Sequence, residues 1–218
     1  MDREPLRLDV FSDVVCPWCF IGKRRMERAL AGDPRIQVTV RWRAFLLNPD
    51  MPAEGMERGE YLARKFGTGA RARDLYAAIE EVGEHEGIAF AFDRIRRTPD
   101  TVKAHRVIAA AEGIAQDAVV EALFRAYFED GLDLSANQSL IDVAVRAGLD
   151  VGLAREVVEA DDGDKEVHAD NALAHAMGIG GVPCFILDGR YAIAGAQEPE
   201  VFKRLFDGIR AIEAAPSA

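Results

Sequence analysis

Two cysteines with two residues between them stand near the amino terminus of this sequence. Cys16 and Cys19 flank Pro17 and Trp18, and the chain contains one further cysteine, Cys184. Such a pair can be half of a zinc site, a reversible disulfide that stores two electrons, or two unrelated structural residues. A zinc site needs a second ligand pair, which neither Cys184 nor the four histidines supply at the required spacing. We therefore expect a redox-active dithiol and no metal.

The residues on either side of the first cysteine predict a strand that leads into a helix. Apolar and polar side chains alternate over residues 6 to 10, as on a strand. Pro17 favours the first turn of a helix, where its missing N–H leaves no hydrogen bond unmade. Cys16 and Cys19 would then be neighbours on that turn, close enough to form a disulfide.

The position of each cysteine in this helix predicts its part in the chemistry. Free amides and the helix dipole at the N-terminus favour a thiolate, so they should lower the pKa of Cys16. Cys16 should also be exposed, and we therefore predict that it is the attacking thiol. Cys19 lies one turn inside the helix, on its apolar stripe, where it can resolve a mixed disulfide.

The order of the remaining segments predicts an α/β fold. Residues 36 to 43 alternate as a second strand, so strand, helix and strand form a βαβ unit with parallel strands. Glycines and prolines then separate a run of helices, expected at residues 61–66, 70–82, 101–111, 119–128, 138–147 and 153–158. A helix at residues 165–177, two strands joined by a turn at Asp188 and Gly189, and a last helix complete the chain.

A proline begins the predicted strand Val-Pro-Cys-Phe-Ile-Leu. Because Pro183 cannot donate a hydrogen bond to a neighbouring strand, it indicates a strand start, a bulge or a cis peptide bond. The dithiol helix and the order of the segments favour a cis bond between Val182 and Pro183. Alternation along the strand turns Cys184 away from the side of Pro183 and into the core, where we expect a buried, inert thiol.

These motifs together resemble the thioredoxin superfamily, and within it the DsbA-like, FrnE-like branch whose members carry a helical insertion. The residues that carry the resemblance are FSDVVCPWCFIGKRRME at 11–27, Ala-His-Arg at 104–106 and GIGGVPCFILDGRYAIAGAQ at 178–197. The resemblance implies an α/β, thioredoxin-like fold with a large inserted all-helical domain. Residues 1–48 and 161–218 would form the discontinuous thioredoxin-like domain, and residues 49–160 the insertion.

The resemblance also implies a protein disulfide oxidoreductase or isomerase that exchanges electrons through the dithiol. Cys16 would be the nucleophile, Cys19 the resolving thiol, and Pro183 a cis-proline packed beside them. A further group of residues would contact the substrate: Pro17, Trp18, the backbone of Val182, and His105. An ordinary helix histidine is an equal alternative for the last of these.

Several positions differ from the proteins that the chain resembles. Thioredoxin and DsbA have an acidic residue six places before the first cysteine, where this chain has Val10. Asp13 is nearer, but capping of the helix is an alternative role for it, so the route of the Cys19 proton stays open. Asp100 and Thr101 stand where the family often has Asn-Thr before its Ala-His-Arg helix.

Two other functions remain open. Kappa-class glutathione transferases and 2-hydroxychromene-2-carboxylate isomerases share this architecture, but they usually have serine in place of Cys16. They also tend to carry an acidic residue near Gln197, where this chain has Gly-Ala-Gln-Glu. The second alternative is a redox-controlled chaperone or binding module, in which the disulfide only switches the binding of a client.

Charge and hydropathy limit the partners. The 218 residues carry a formal net charge of −10, which argues against nucleic acid, and the short basic runs at 23–25 and 94–97 should be solvated. No apolar stretch approaches the about 20 residues of a membrane span, and a signal peptide is not evident, so we expect a cytoplasmic protein without a membrane partner. Its partners should be protein or small-molecule thiols and disulfides. Glutathione is a candidate co-substrate, no other cofactor is expected, and a homodimer is a family expectation.

Overall fold

The computed structural model describes residues 5–33, 37–67, 69–113, 115–160 and 164–214. Three elements come first along the chain: β1 (Leu6–Ser12), α1 (Pro17–Ala31) and β2 (Val38–Ala44). A mostly helical block follows, made of β3 (Met56–Glu57), α2 (Arg58–Phe66), α3 (Gly69–His85), β4 (Arg97–Thr98), α4 (Val102–Ala110), α5 (Gln116–Phe128), α6 (Asn137–Arg146) and α7 (Val151–Glu159). The chain then forms α8 (Asp164–Ala176), β5 (Cys184–Leu187), β6 (Tyr191–Ala194) and α9 (Pro199–Ala214).

Four strands form one mixed sheet in the order β2, β1, β5, β6. β1 and β2 are joined through α1 and pair directly in parallel, with Val10 opposite Trp42. The predicted βαβ unit is therefore confirmed. The predicted start of the second strand, Ile36, lies outside the described residues. β5 is antiparallel to β1, and Phe11 pairs with Cys184. The end of β1 that leads into the dithiol therefore meets the start of β5.

The helices lie where the sequence predicts them, with ends that differ by at most three residues. Two of them begin earlier than predicted because acidic side chains cap them: Glu57 accepts the Glu60 amide at 2.8 Å, and Asp150 accepts the Leu153 amide at 3.0 Å. β3 and β4 pair as a small second sheet that the sequence did not predict, since strands of two residues show no alternation. Within the described ranges, none of the helices combines the length and the apolar character needed to cross a bilayer.

One buried cluster joins the sheet to the helical block. Phe20 on α1 is fully buried, and its ring stacks on Phe124 and Phe128 of α5 with centroid distances of 5.1 and 6.4 Å. The same cluster contains Val10 of β1 and Val158 of α7. Because this apolar surface is continuous, its burial holds α1 against both the sheet and the helices. The two-domain division of the chain stays a prediction.

The basic run at residues 23–25 is not the solvated face that we expected. Lys23 has only 1% of its side chain exposed, and its ammonium group contacts three carboxylates. They belong to Glu27 of α1 and to Asp117 and Glu121 of α5. A buried cation needs such partners to offset its loss of hydration. The cluster therefore joins α1, which carries the dithiol, to the helical block.

Candidate redox site

Cys16 and Cys19 lie at the start of α1, directly after β1. Cys16 is the N-cap residue, with an extended backbone (φ −96°, ψ 110°), and Pro17 begins the helix. The Cys16 amide donates to the Asp13 carbonyl, and the Cys19 amide donates to the Cys16 carbonyl, each at 3.0 Å. All three cysteines of the chain are free thiols. The turn brings the two thiols together, and their spacing in sequence predicts this.

Cys16 is less exposed than its place at a helix end led us to expect. Only 6% of Cys16 is exposed and Cys19 is fully buried, whereas Trp18 between them is 38% exposed. A long-range contact is one reason, because the carbonyl oxygen of Val182 lies 3.6 Å from Cys16 Sγ, at hydrogen-bonding distance for a thiol. A reactant therefore meets only a small part of the Cys16 sulfur.

Pro183 packs against Gly22 of α1, which lies one helical turn after Cys19. The peptide bond between Val182 and Pro183 is cis. A Cβ atom placed on Gly22 would lie 2.8 Å from Pro183 Cγ and 3.2 Å from Phe185 Cζ, so glycine is what lets α1 and the start of β5 approach this closely. The sequence analysis missed this role of Gly22. A glycine inside the apolar stripe of a helix was the available signal.

The surroundings of Cys19 favour its protonated form. Burial raises the pKa of the Cys19 thiol well above its usual range, and the neighbouring Cys16 raises it further. The Ser12 hydroxyl and the Asp13 amide, which hydrogen-bond the Cys19 sulfur, lower this pKa by a smaller amount. Burial also raises the pKa of Cys184. Both Cys19 and Cys184 are therefore thiols, and not thiolates, at neutral pH.

We expect iodoacetamide to label Cys16 first in the reduced protein. Only the thiolate reacts, so the raised pKa values of Cys19 and Cys184 should make their labelling slow at pH 7 and faster as the pH rises. Peptide mapping after brief treatment identifies the labelled thiol, and protein unfolded in guanidinium, in which all three thiols are accessible, is the control. Labelling of Cys19 or Cys184 ahead of Cys16 would contradict the assignment of the nucleophile.

Cys184 lies in a second apolar cluster, on the opposite face of the sheet from Phe185. It is 4% exposed, and the cluster around it contains Phe11, Phe45 and Ile186. This is the orientation that strand alternation predicts. Its inertness in redox chemistry stays a prediction.

Asp13 and His105 form a buried pair. The Asp13 carboxylate accepts the Leu47 amide at 2.8 Å and the Val15 amide at 3.4 Å, and it does not cap α1, the role that we considered for it. His105 Nε2 lies 3.7 Å from Asp13 Oδ1. His105 also lines a cavity of about 400 Å³ to which neither cysteine of the dithiol contributes. Its assignment to the substrate cleft stays a prediction.

The other residues predicted to contact substrate lie next to the dithiol in the chain or in space. Pro17 and Val182 are half-buried, and Trp18 is exposed. Farther along the chain, the Gln197 side-chain amide donates to the Ala194 carbonyl at 2.9 Å, within its own turn. In the part of the chain that the structure describes, no three His, Cys, Asp or Glu side chains come together in a way that could hold a metal ion.

Comparisons with known proteins give similar chains. The family model for the DSBA-like thioredoxin domain matches residues 7–207. The structure of a probable DsbA oxidoreductase from Streptomyces coelicolor is 31% identical, with a TM-score of 0.87 over 98% of this chain and 93% of that one. Two more distant structures share the fold. Cytosolic disulfide reductase DsbM from Pseudomonas aeruginosa, solved with glutathione, is 19% identical (TM-score 0.61; 94% and 100% covered). A 2-hydroxychromene-2-carboxylate isomerase is 14% identical (TM-score 0.70; 97% and 100% covered).

Proposed function

Because the chain belongs to the DSBA-like thioredoxin domain family, we propose that it is a thiol-disulfide oxidoreductase whose electrons pass through Cys16 and Cys19. Membership of the family confirms the predicted α/β, thioredoxin-like fold with a helical insertion. One observation supports the specific chemistry most: the two thiols share the first turn of α1, with Val182 against Cys16 and Cys19 wholly buried. Cys16 can therefore react with a substrate, whereas Cys19 can react only with Cys16.

The proposed reaction has two steps, written here for reduction of a substrate disulfide. The Cys16 thiolate attacks one substrate sulfur, so a mixed disulfide forms while the substrate S–S bond breaks and its other sulfur leaves as a thiolate. Cys19 then loses its proton and attacks Cys16 Sγ, which releases the second substrate sulfur. The products are a Cys16–Cys19 disulfide and a dithiol substrate, so two electrons have moved to the substrate. The same steps in reverse oxidise a dithiol.

We propose protein or small-molecule thiols and disulfides as substrates. The half-buried residue Val182, whose carbonyl lies beside Cys16, and the exposed Trp18 offer a surface for an extended segment. Glutathione can reset the dithiol, and the fold shared with DsbM, a cytosolic reductase solved with glutathione, supports this choice and a cytosolic location. Both remain predictions, as does a homodimer. The Cys16 and Cys19 thiols together carry the two electrons that are exchanged, so we propose no further cofactor.

Changing Cys19→Ser should convert the protein into a trap for its substrates. The mixed disulfide on Cys16 then has no internal thiol to release it, so it should accumulate. Non-reducing gels of a lysate that expresses this variant should show adducts that dithiothreitol removes, and Cys16→Ser is the matched control. Adducts of equal abundance in the two variants would rule out covalent exchange with proteins as the function.

A glutathione-dependent isomerase or transferase is the second candidate, because the fold is shared with a 2-hydroxychromene-2-carboxylate isomerase. Such proteins activate the thiol of glutathione and usually have serine where this chain has Cys16. The presence of a second thiol at Cys19, hydrogen-bonded to the first, favours disulfide exchange instead. A chaperone or binding module would suppress client aggregation even with both cysteines changed to serine.

A further inference from the structure

Two buried ionisable side chains, Asp13 and His105, have no part in the chemistry described so far. Their side chains are 0% and 2% exposed, and His105 Nε2 faces Asp13 Oδ1 at 3.7 Å. This nitrogen makes no hydrogen bond to any described residue. Histidine is the side chain that most often transfers protons as a general acid or base in enzymes.

Asp13 connects this pair to the dithiol. Its backbone amide hydrogen-bonds the Cys19 sulfur, and its carbonyl accepts the Cys16 amide at 3.0 Å. Its carboxylate is held by the Leu47 amide at 2.8 Å. The residue that contacts the resolving thiol through its backbone therefore also presents a fixed carboxylate to His105.

His105 connects the pair to the surface. It lines a cavity of about 400 Å³ between β2, α4 and α8, together with Trp42 and Val167. Charged side chains also border the cavity: Arg41, Glu112, Glu166 and Asp170. The two glutamates are exposed, so the cavity reaches the surface. A polar cavity of this size admits water or a small base, so a proton on His105 can exchange with solvent while Cys19 stays covered.

We propose that Asp13 and His105 form a proton-exchange pair that accepts the Cys19 proton when Cys19 attacks the mixed disulfide. The proposal rests on the oxidoreductase function given above. In this step the Cys19 S–H bond breaks and its proton goes to the pair. The electron pair on sulfur forms the Cys16–Cys19 bond as the substrate leaves as a thiolate. The proton then leaves through the cavity, and it returns by the same route when the disulfide is reduced.

The burial of Cys19 explains why such a pair is needed. A base in bulk water cannot reach a sulfur that is fully buried, and the raised pKa of Cys19 keeps its proton in place at neutral pH. A purely structural part for His105 predicts something different. Its loss would then lower stability without a selective effect on the second step of exchange.

The two steps can be separated with dithiobis(nitrobenzoate), a chromogenic disulfide. Attack by Cys16 releases one equivalent of thionitrobenzoate, and attack by Cys19 releases a second. In a Cys184→Ala background, we expect His105→Ala to change the first phase less than about twofold and to slow the second at least about tenfold. Asp13→Asn should slow the second phase as well.

Added imidazole distinguishes a proton-transfer role of His105 from a purely structural one, because it can replace a lost proton acceptor. Added to His105→Ala, it can enter the enlarged cavity and should restore the second phase in proportion to its concentration, whereas Asp13→Asn should not respond. His175→Ala is the matched control, because His175 packs against Phe45 at 5.3 Å and does not border the cavity. Its two phases should match those of the parent protein, with or without imidazole.

A second phase that stays at the parent rate in both His105→Ala and the milder His105→Gln would overturn the proposal. An imidazole effect of equal size in His175→Ala would overturn it too. If His105→Ala does not fold, the second phase of His105→Gln decides alone, and its normal first phase shows that the site is intact. Failure of the oxidoreductase function itself looks different, since the parent protein would then release no second equivalent.

Discussion

Replacing Cys16 with serine is expected to abolish disulfide exchange, lowering turnover by at least about a thousandfold, on the scale of other enzymes that lose their nucleophile. Serine nearly matches the size of cysteine, but its hydroxyl cannot form a disulfide, so the N-terminus of α1 loses its sulfur nucleophile. Cys19 cannot take over, because it is fully buried and its pKa is raised. Reduction of insulin disulfides, and of oxidised glutathione, measures the loss.

Cys184→Ser is the matched control for this variant. It changes another buried thiol in the same way, but on the opposite face of the sheet, so turnover should stay close to that of the parent protein. Activity of Cys16→Ser near the parent level would refute the role of Cys16. If such activity required glutathione, it would favour the isomerase or transferase, which works with serine at this position.

Replacing Gly22 with alanine is expected to destabilise the protein and to disturb the site. The new methyl group would lie 2.8 Å from Pro183 Cγ, well inside contact distance, and a proline ring between α1 and β5 cannot turn away. Overpacking of this kind costs about 1 to 3 kcal/mol, which exceeds or cancels the about 1 kcal/mol that alanine gains over glycine in a helix. The displaced loop should also move Val182 away from Cys16, and turnover should fall by up to about 100-fold.

The same substitution at Gly208 in α9 separates these effects. A Cβ atom there meets nothing within 4 Å, and the residue is exposed, so Gly208→Ala should raise the free energy of unfolding by about 0.5 to 1 kcal/mol and leave turnover unchanged. Urea unfolding of both variants gives the comparison. Equal stabilisation at the two positions would mean that Pro183 does not press on α1 as the structure shows.

Short-range patterns were sufficient to predict most of the architecture. Alternation over residues 6 to 10 and 36 to 43 identified two parallel strands, and Pro17 after Cys16 identified the start of α1. The helix ends were less accurate, because caps such as Glu57 depend on one side chain finding one amide. These features involve residues within a few positions of each other, so the sequence carries their signature directly.

The pairing of Cys16 with Cys19, and their unequal places on the first turn of α1, follow from the sequence by itself, since a spacing of three on a helix makes neighbours of any two side chains. Spacing does not predict what surrounds them: only the family resemblance implied Val182 and Pro183 at the dithiol, and the tertiary structure decided the contacts themselves. Val182, 166 residues later, comes to cover Cys16, Pro183 packs on Gly22, and His105 meets Asp13. Such contacts depend on how whole elements pack, and no local period or motif records which distant side chain will fill a given space.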